Sequence, residues 1–209
     1  NGLFQAAEDW AHRQGCDTIY GPRGFQRSDC IGLLVDGYEL TPAMGMIYNL
    51  PYYERLIKTA GFTKYTDHFS GEFSKNYHLP ERVYEIAERV KQRGNFWIKS
   101  FDTVQEMENM IPMVDAVHHE AFKDNAGYYP STKAEFEMLA KNILAIADPK
   151  LIKAVMKGDE IAGFVIATPN IAKAVQRTQG KVLPFGWIDL LREKKRTKVI
   201  DVDVVGLLP

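Results

Sequence analysis

Lys198-Val199-Ile200-Asp201-Val202-Asp203-Val204-Val205-Gly206-Leu207-Leu208-Pro209 is the stretch that decides how the rest of the sequence is read. Its apolar, β-branched residues predict a strand, and the residues from Gly206 to Pro209 predict that the strand gives way to a loop. The opposite end, Asn1-Gly2-Leu3-Phe4, carries no Met and enters a helical pattern at once. Together the two ends read as those of a piece of a longer chain, with a strand at one end that a following loop would put to use.

The 209 residues, 45% of them apolar, allow one large domain or two small ones with an ordinary buried core. A formal charge of −1 gives no global basic field, so neither nucleic acid nor a membrane is an expected partner. The one dense basic run, Arg192-Glu193-Lys194-Lys195-Arg196, reads as a solvated helix end, with a phosphate contact as the alternative. No apolar stretch approaches the ~20 residues that cross a bilayer, and no signal-peptide pattern opens the sequence. Cys16 and Cys30 lack CxxC spacing and read as reduced thiols in a cytoplasmic protein.

Along the chain, Leu3, Phe4, Ala7, Trp10 and Ala11 recur at helical spacing, and Gly15 is placed to end that helix. Residues 17–20 read as a short strand. A long loop follows to about Leu50, with residues 32–35 as a strand inside it. Asn49 reads as the N-cap of a helix over 51–60 that Gly61 terminates, and residues 62–73 as one or two strands. A helix from Pro80 to Gly94 reads as a linker.

From Asn95 the pattern restarts with a strand over 96–101. Asp102-x-x-Gln105 resembles a capping box opening a helix to about Phe122, in which Pro112 should produce a kink. Thr132-x-x-Glu135 caps the next helix. Residues 151–156 and 161–168 form strands joined by a Lys157-Gly158-Asp159-Glu160 hairpin. An insertion over 169–197, with two short helices, precedes the terminal strand. The class is α/β (α+β), with partial modules at 1–73 and 95–209 and a linker at 74–94.

This order resembles the GNAT superfamily of N-acetyltransferases, with the closing half of one module followed by the opening half of a second. Tyr52-Tyr53-x-x-Leu56-Ile57-x-x-Ala60-Gly61-Phe62 resembles the family's late helix. Val204-Val205-Gly206-Leu207-Leu208-Pro209 resembles its fourth strand, which leads into a glycine-rich pyrophosphate loop. Gly32-Leu33-Leu34-Val35-Asp36-Gly37-Tyr38, Tyr48-Asn49-Leu50-Pro51-Tyr52-Tyr53 and Leu183-Pro184-Phe185-Gly186-Trp187 resemble an uncharacterised bacterial family of tandem GNAT proteins.

The resemblance implies a mixed central sheet flanked by helices. It also implies acyl transfer from acetyl-CoA, the co-substrate, to a small-molecule or peptide amine. Val205, Gly206 and Leu207 would then pair with the pantetheine arm and thioester, since an open strand edge offers unpaired N–H and C=O groups. An ordinary core strand is the alternative. Gly206 suits either a bulge or a close approach to a ligand. The pyrophosphate-binding loop falls outside these residues, so they alone are expected to hold acetyl-CoA poorly and to be inactive.

The family's tyrosine acid maps to Ile57, which leaves Tyr53, a helical turn earlier, as the candidate acid or an aromatic packing residue. Asn49 is either that N-cap or a coenzyme contact. Asn125, Tyr128 and Tyr129 lie in the loop where the family shapes its acceptor pocket. His118-His119-Glu120 offers a proton acceptor or a core-edge histidine; neighbours about 100° apart on a helix do not chelate one metal, so none is expected. A non-catalytic GNAT pair for ligand binding or scaffolding, and an aminoacyl-tRNA-dependent transferase, are the competing functions. Exposed sheet edges would favour self-association.

Overall fold

The computed structural model describes residues 2–24, 31–125 and 128–208. The chain divides into two compact units, Asn1–Glu72 and Phe73–Pro209. Cys30 lies outside the described residues, and Cys16 is an exposed free thiol.

In the first unit, α1 (Gly2–Arg13) buries Ala11. It stops where Gly15 turns to φ +76°, so that the N–H of Cys16 reaches back to the carbonyl of Ala11 at 2.9 Å. The helix α2 (Tyr52–Thr59) ends at Gly61, whose φ is +94°. Phe4 of α1 meets Phe62 with ring centroids 5.2 Å apart. The strands expected over 17–20, 32–35 and 62–73 do not form. Those segments lack a ladder partner, and the one pairing among the described residues of this unit is an isolated bridge between Arg23 and Ile31. An extended segment without a neighbour cannot close backbone hydrogen bonds, so β-propensity alone leaves it as coil.

In the second unit, α3 (Glu81–Gly94) leads into β1 (Phe96–Ser100). Then come α4 (Val104–Phe122), α5 (Lys133–Ile146), β2 (Lys153–Lys157) and β3 (Glu160–Pro169). The insertion contributes α6 (Ala172–Thr178) and α7 (Gly186–Arg196), and β4 (Ile200–Leu207) closes the series. The four strands form one sheet in the order β1-β2-β3-β4, and every pairing is antiparallel. Where a mixed sheet was expected, the described strands are joined by hairpins and returning connections, which give antiparallel neighbours.

The helix cap at α4 differs by one residue from the expected one. Thr103, not Asp102, accepts from the N–H of Glu106, while the Glu106 carboxylate accepts from the N–H of Asp102. Helix α4 continues through Pro112. At α5 the Thr132–Glu135 capping box forms with both of its bonds. Among the described residues no helix is long and apolar enough to cross a membrane.

Helix α4 packs across β3 and β4, and α5 adds to the same face. The core there contains Phe101, Met107, Val117, Ala154, Met156, Ile161 and Phe164, with Phe122, Ile166 and Val204 packed against it. Gly206 of β4 stands opposite Phe164 of β3. A Cβ on Gly206 would lie 2.8 Å from two atoms of the Phe164 ring and 3.3 Å from Cε2 of Phe122. Phe164 is 2% exposed and has no room to retreat. Gly206→Ala is therefore expected to destabilise the second unit by about 1–3 kcal/mol, read as a lower urea midpoint. An unchanged midpoint would contradict this packing.

Candidate functional site

The strand β4 lies at the edge of the sheet, so one side of its backbone is laddered to β3 and the other faces no strand among the described residues. Side chains alternate along it. Gly206 and Val204 face the helices, whereas Val205 and Leu207 project from the opposite face, 52% and 60% exposed. Leu207 lies over Gly163, where a Cβ would come within 2.4 Å of its Cδ2. Beyond the strand, the N–H of Leu208 still donates to the carbonyl of Ala162 at 2.9 Å. The glycine answers to packing beneath two rings, and the bulge lies elsewhere in the strand.

That bulge is at Asp203. Ile166 pairs with Val204 and Ala167 with Val202, which leaves Asp203 without a residue opposite it. Strict alternation would turn Asp203 away from the face that Val204 occupies. The extra residue lets both point the same way, a common use of bulges to re-aim a side chain. Asp203 thereby reaches Thr168, which is 3% exposed and donates its hydroxyl to Oδ2 at 2.9 Å. One step along, Asn170 donates to both oxygens of Asp201, at 2.9 and 3.0 Å. Its own Oδ1 accepts from the N–H of Ala172 at the start of α6.

Asp203 is exposed as a whole, but partial desolvation of its carboxyl raises its pKa above the usual carboxylate value. The Thr168 hydrogen bond opposes that shift, and the nearby charge of Asp201 adds to it. A carboxylate less acidic than normal holds its proton more readily, which suits a base.

The C-terminal turn of α4 ties this edge to the loop before α5. The His118 ring packs among Phe122, Phe136 and Phe164, with centroids 4.9, 5.7 and 6.1 Å away. His119 points elsewhere, and its Nδ1 lies 2.7 Å from the hydroxyl of Tyr128. Asn125 donates its N–H to the carbonyl of Phe122, and Tyr128 donates to that of Asn125, both at 2.9 Å. The loop residues Asn125, Tyr128 and Tyr129 thus follow from the same Phe122 whose ring covers Gly206. Asn125 is exposed, and the two tyrosines are half-buried. Among the described residues, no group of three or more His, Cys, Asp or Glu is placed to hold a metal ion.

Two further sequence candidates belong to the first unit. Asn49 does not cap α2, which starts after Pro51 without a side-chain cap. Its amide instead copies a strand partner for Leu34. Oδ1 accepts from the Leu34 N–H at 2.7 Å, and Nδ2 donates to the Leu34 carbonyl at 3.1 Å. Tyr38 donates to that same carbonyl, so Asn49 pins a loop that has no sheet to join. Tyr53 lies on α2 against Tyr52, ring centroids 4.8 Å apart, and both are exposed. The hydroxyl of Tyr53 pushes the pKa of Tyr52 upward. A shallow cleft in this unit, lined by His12, Cys16, Asp17 and Thr18 among others, includes none of the expected site residues.

Asp203 and Thr168 were not among the residues singled out in the sequence. The signal available was the doubled Val204-Val205, which breaks the alternation of Ile200-Asp201-Val202-Asp203 and marks an extra residue in the strand.

A raised folded-state pKa on an acid adds stability below the unfolded-state pKa and loses it as pH rises through the folded value. At neutral pH the ionised Asp203 therefore works against folding. Asp203→Asn keeps an acceptor for Thr168, and it is expected to be at least as stable as the parent at neutral pH. The advantage should shrink once the pH falls below about 4, as read by urea unfolding at both values. Greater loss of stability at neutral than at acid pH would contradict the assignment.

No protein-family model matches the chain. It is 31% identical over 194 residues to the protein named bacterial ceramide synthase of Caulobacter vibrioides (strain NA1000 / CB15N), an alignment that covers 91% of this chain and 49% of that protein. It is 24% identical over 190 residues to protein YghO of Escherichia coli (strain K12), covering 90% of this chain and 48% of that one. The chain spans about half the length of the curated relatives it matches.

Proposed function

We propose that this chain forms part of a GNAT-type acyltransferase that moves an acyl group from acyl-CoA to an amine, with Asp203 as the base. The observation that carries this reading is the bulge in β4, which aims the solvent-accessible Asp203 carboxyl at Thr168 beside an open strand edge. The similarity to a ceramide synthase supports the reaction type. Ceramide is a fatty amide of a long-chain amino alcohol, so that name denotes amide formation. For this chain it favours a long-chain amino alcohol as acceptor.

In the proposed reaction the amine nitrogen attacks the thioester carbonyl carbon, and the carbon–sulfur bond breaks. Asp203 takes the proton that the nitrogen must lose, and the departing thiolate gains one, so amine and thioester become amide and thiol without an added reactant. The residues fit an extended donor. The outer edge of β4 at Val205, Gly206 and Leu207 presents backbone groups to an added strand-like ligand. The helix side of Gly206 is filled by Phe164 and Phe122, so the donor lies along the edge rather than under the helices. Asn125, Tyr128 and Tyr129 shape the acceptor side, with His119 orienting the Tyr128 hydroxyl.

The test uses the protein that carries this chain, long-chain acyl-CoA and a long-chain amino alcohol, with release of the CoA thiol as the readout. Asp203→Asn should lower kcat by about 10²–10⁴-fold with little change in KM. A variant as fast as the parent would remove Asp203 as the base. A parent that transfers no acyl group to any long-chain amine would remove the acceptor class.

A further inference from the structure

The insertion between β3 and β4 holds apolar side chains out in solvent on a well-braced frame. Leu183 is 78% exposed and Phe185 72%, and Val182, Trp187 and Leu191 are exposed beside them. The segment is nevertheless tightly built. A Cβ on Gly186 would lie 1.9 Å from the carbonyl oxygen of Lys181, so the turn closes only because that residue is glycine. The Trp187 indole donates to the carbonyl of Pro184 at 3.1 Å, and the Trp187 N–H donates to that of Val182 at 3.0 Å. Arg177 of α6 grips Asp189 of α7 through two bonds and Glu193 through a third. Lys194 donates to the carbonyl of Ala147 at the end of α5. These contacts order a loop that leaves Leu183 and Phe185 in solvent.

Charge indicates what covers them. Residues 178–198 carry six cations, Lys181, Arg192, Lys194, Lys195, Arg196 and Lys198, against two acids, Asp189 and Glu193. Both acids are turned inward onto Arg177. On α7, Trp187, Leu191 and Lys195 follow at i, i+4 and i+8 and share one exposed face, with Arg192 and Arg196 beside it. The result is an apolar tip followed by cations on the outer side of an amphipathic helix. A helix of this kind seats its aromatic and aliphatic groups among lipid acyl chains and its cations among anionic headgroups.

We infer that the tip of this insertion, with the outer face of α7, docks on an anionic lipid surface. Near-neutral charge over the whole chain does not predict this, because the acids that balance it lie elsewhere or face inward. The inference stands apart from the proposed reaction and is read without turnover.

The test is co-sedimentation of the full chain with phosphatidylcholine vesicles containing about a quarter phosphatidylglycerol, and with phosphatidylcholine alone. The chain should bind the anionic vesicles, bind the neutral ones far more weakly, and leave the anionic ones as salt rises. Leu183→Ser with Phe185→Ser should weaken binding at least about tenfold without moving the urea midpoint, since both side chains are exposed. Arg192→Glu with Lys195→Glu serves as the second variant and should weaken binding by about fivefold or more for each charge. No preference for anionic vesicles, or binding that survives both pairs of changes, would overturn the inference. So would light scattering that shows a dimer of the parent resolved to monomer by the serine variant, because a second copy would then cover the patch.

Discussion

Between β3 and β4, on the face covered by α4, there is room for the Phe164 ring only because its partner in register is Gly206. The rest of the second unit depends on that exclusion. With the ring seated, Phe122 closes over it from the last turn of α4, and His118 packs against both. The end of α4 is thereby fixed, and with it the hydrogen bonds of Asn125 and Tyr128 and the contact between His119 and Tyr128. The same register, counted back from Gly206, meets one residue too many at Asp203. Packing at one end of β4 and the placement of the Asp203 carboxyl at the other follow from a single alignment of two strands.

That alignment explains why an awkward carboxyl sits where it does. An aspartate whose pKa is raised by burial costs stability at neutral pH, and replacing it by asparagine would cost less. Asp201 differs, because Asn170 satisfies both of its oxygens and ties it to the start of α6. Two acids two residues apart thus have separate duties, one structural and one proposed as chemical.

Much of the second unit was legible in the sequence, because its signals are local and agree with one another. The Thr132 capping box, the hairpin at Gly158, the long helix ending at Phe122 and the two short helices of the insertion all formed. In the first unit the two helices and their closing glycines were legible, and the strands were not. Residues 17–20 and 62–73 have strand composition, but a strand is made by its neighbour, and none pairs with them among the described residues. Asn49 looked like a cap because it precedes Pro51, yet its amide is spent on Leu34, fifteen residues back. At the candidate site, Gly206 stood out by residue type. Asp203 did not, since its role arises from a pairing offset that only the opposite strand reveals.

The most direct test of the account is an NMR titration of the Asp203 side-chain carboxyl, compared with that of Asp201. Asp203 should titrate clearly above the ordinary aspartate value of about 3.9, and Asp201→Asn should lower its midpoint, because the Asp201 charge adds to the upward shift. A midpoint at or below the ordinary value would contradict the claim that the bulge in β4 delivers a poised base.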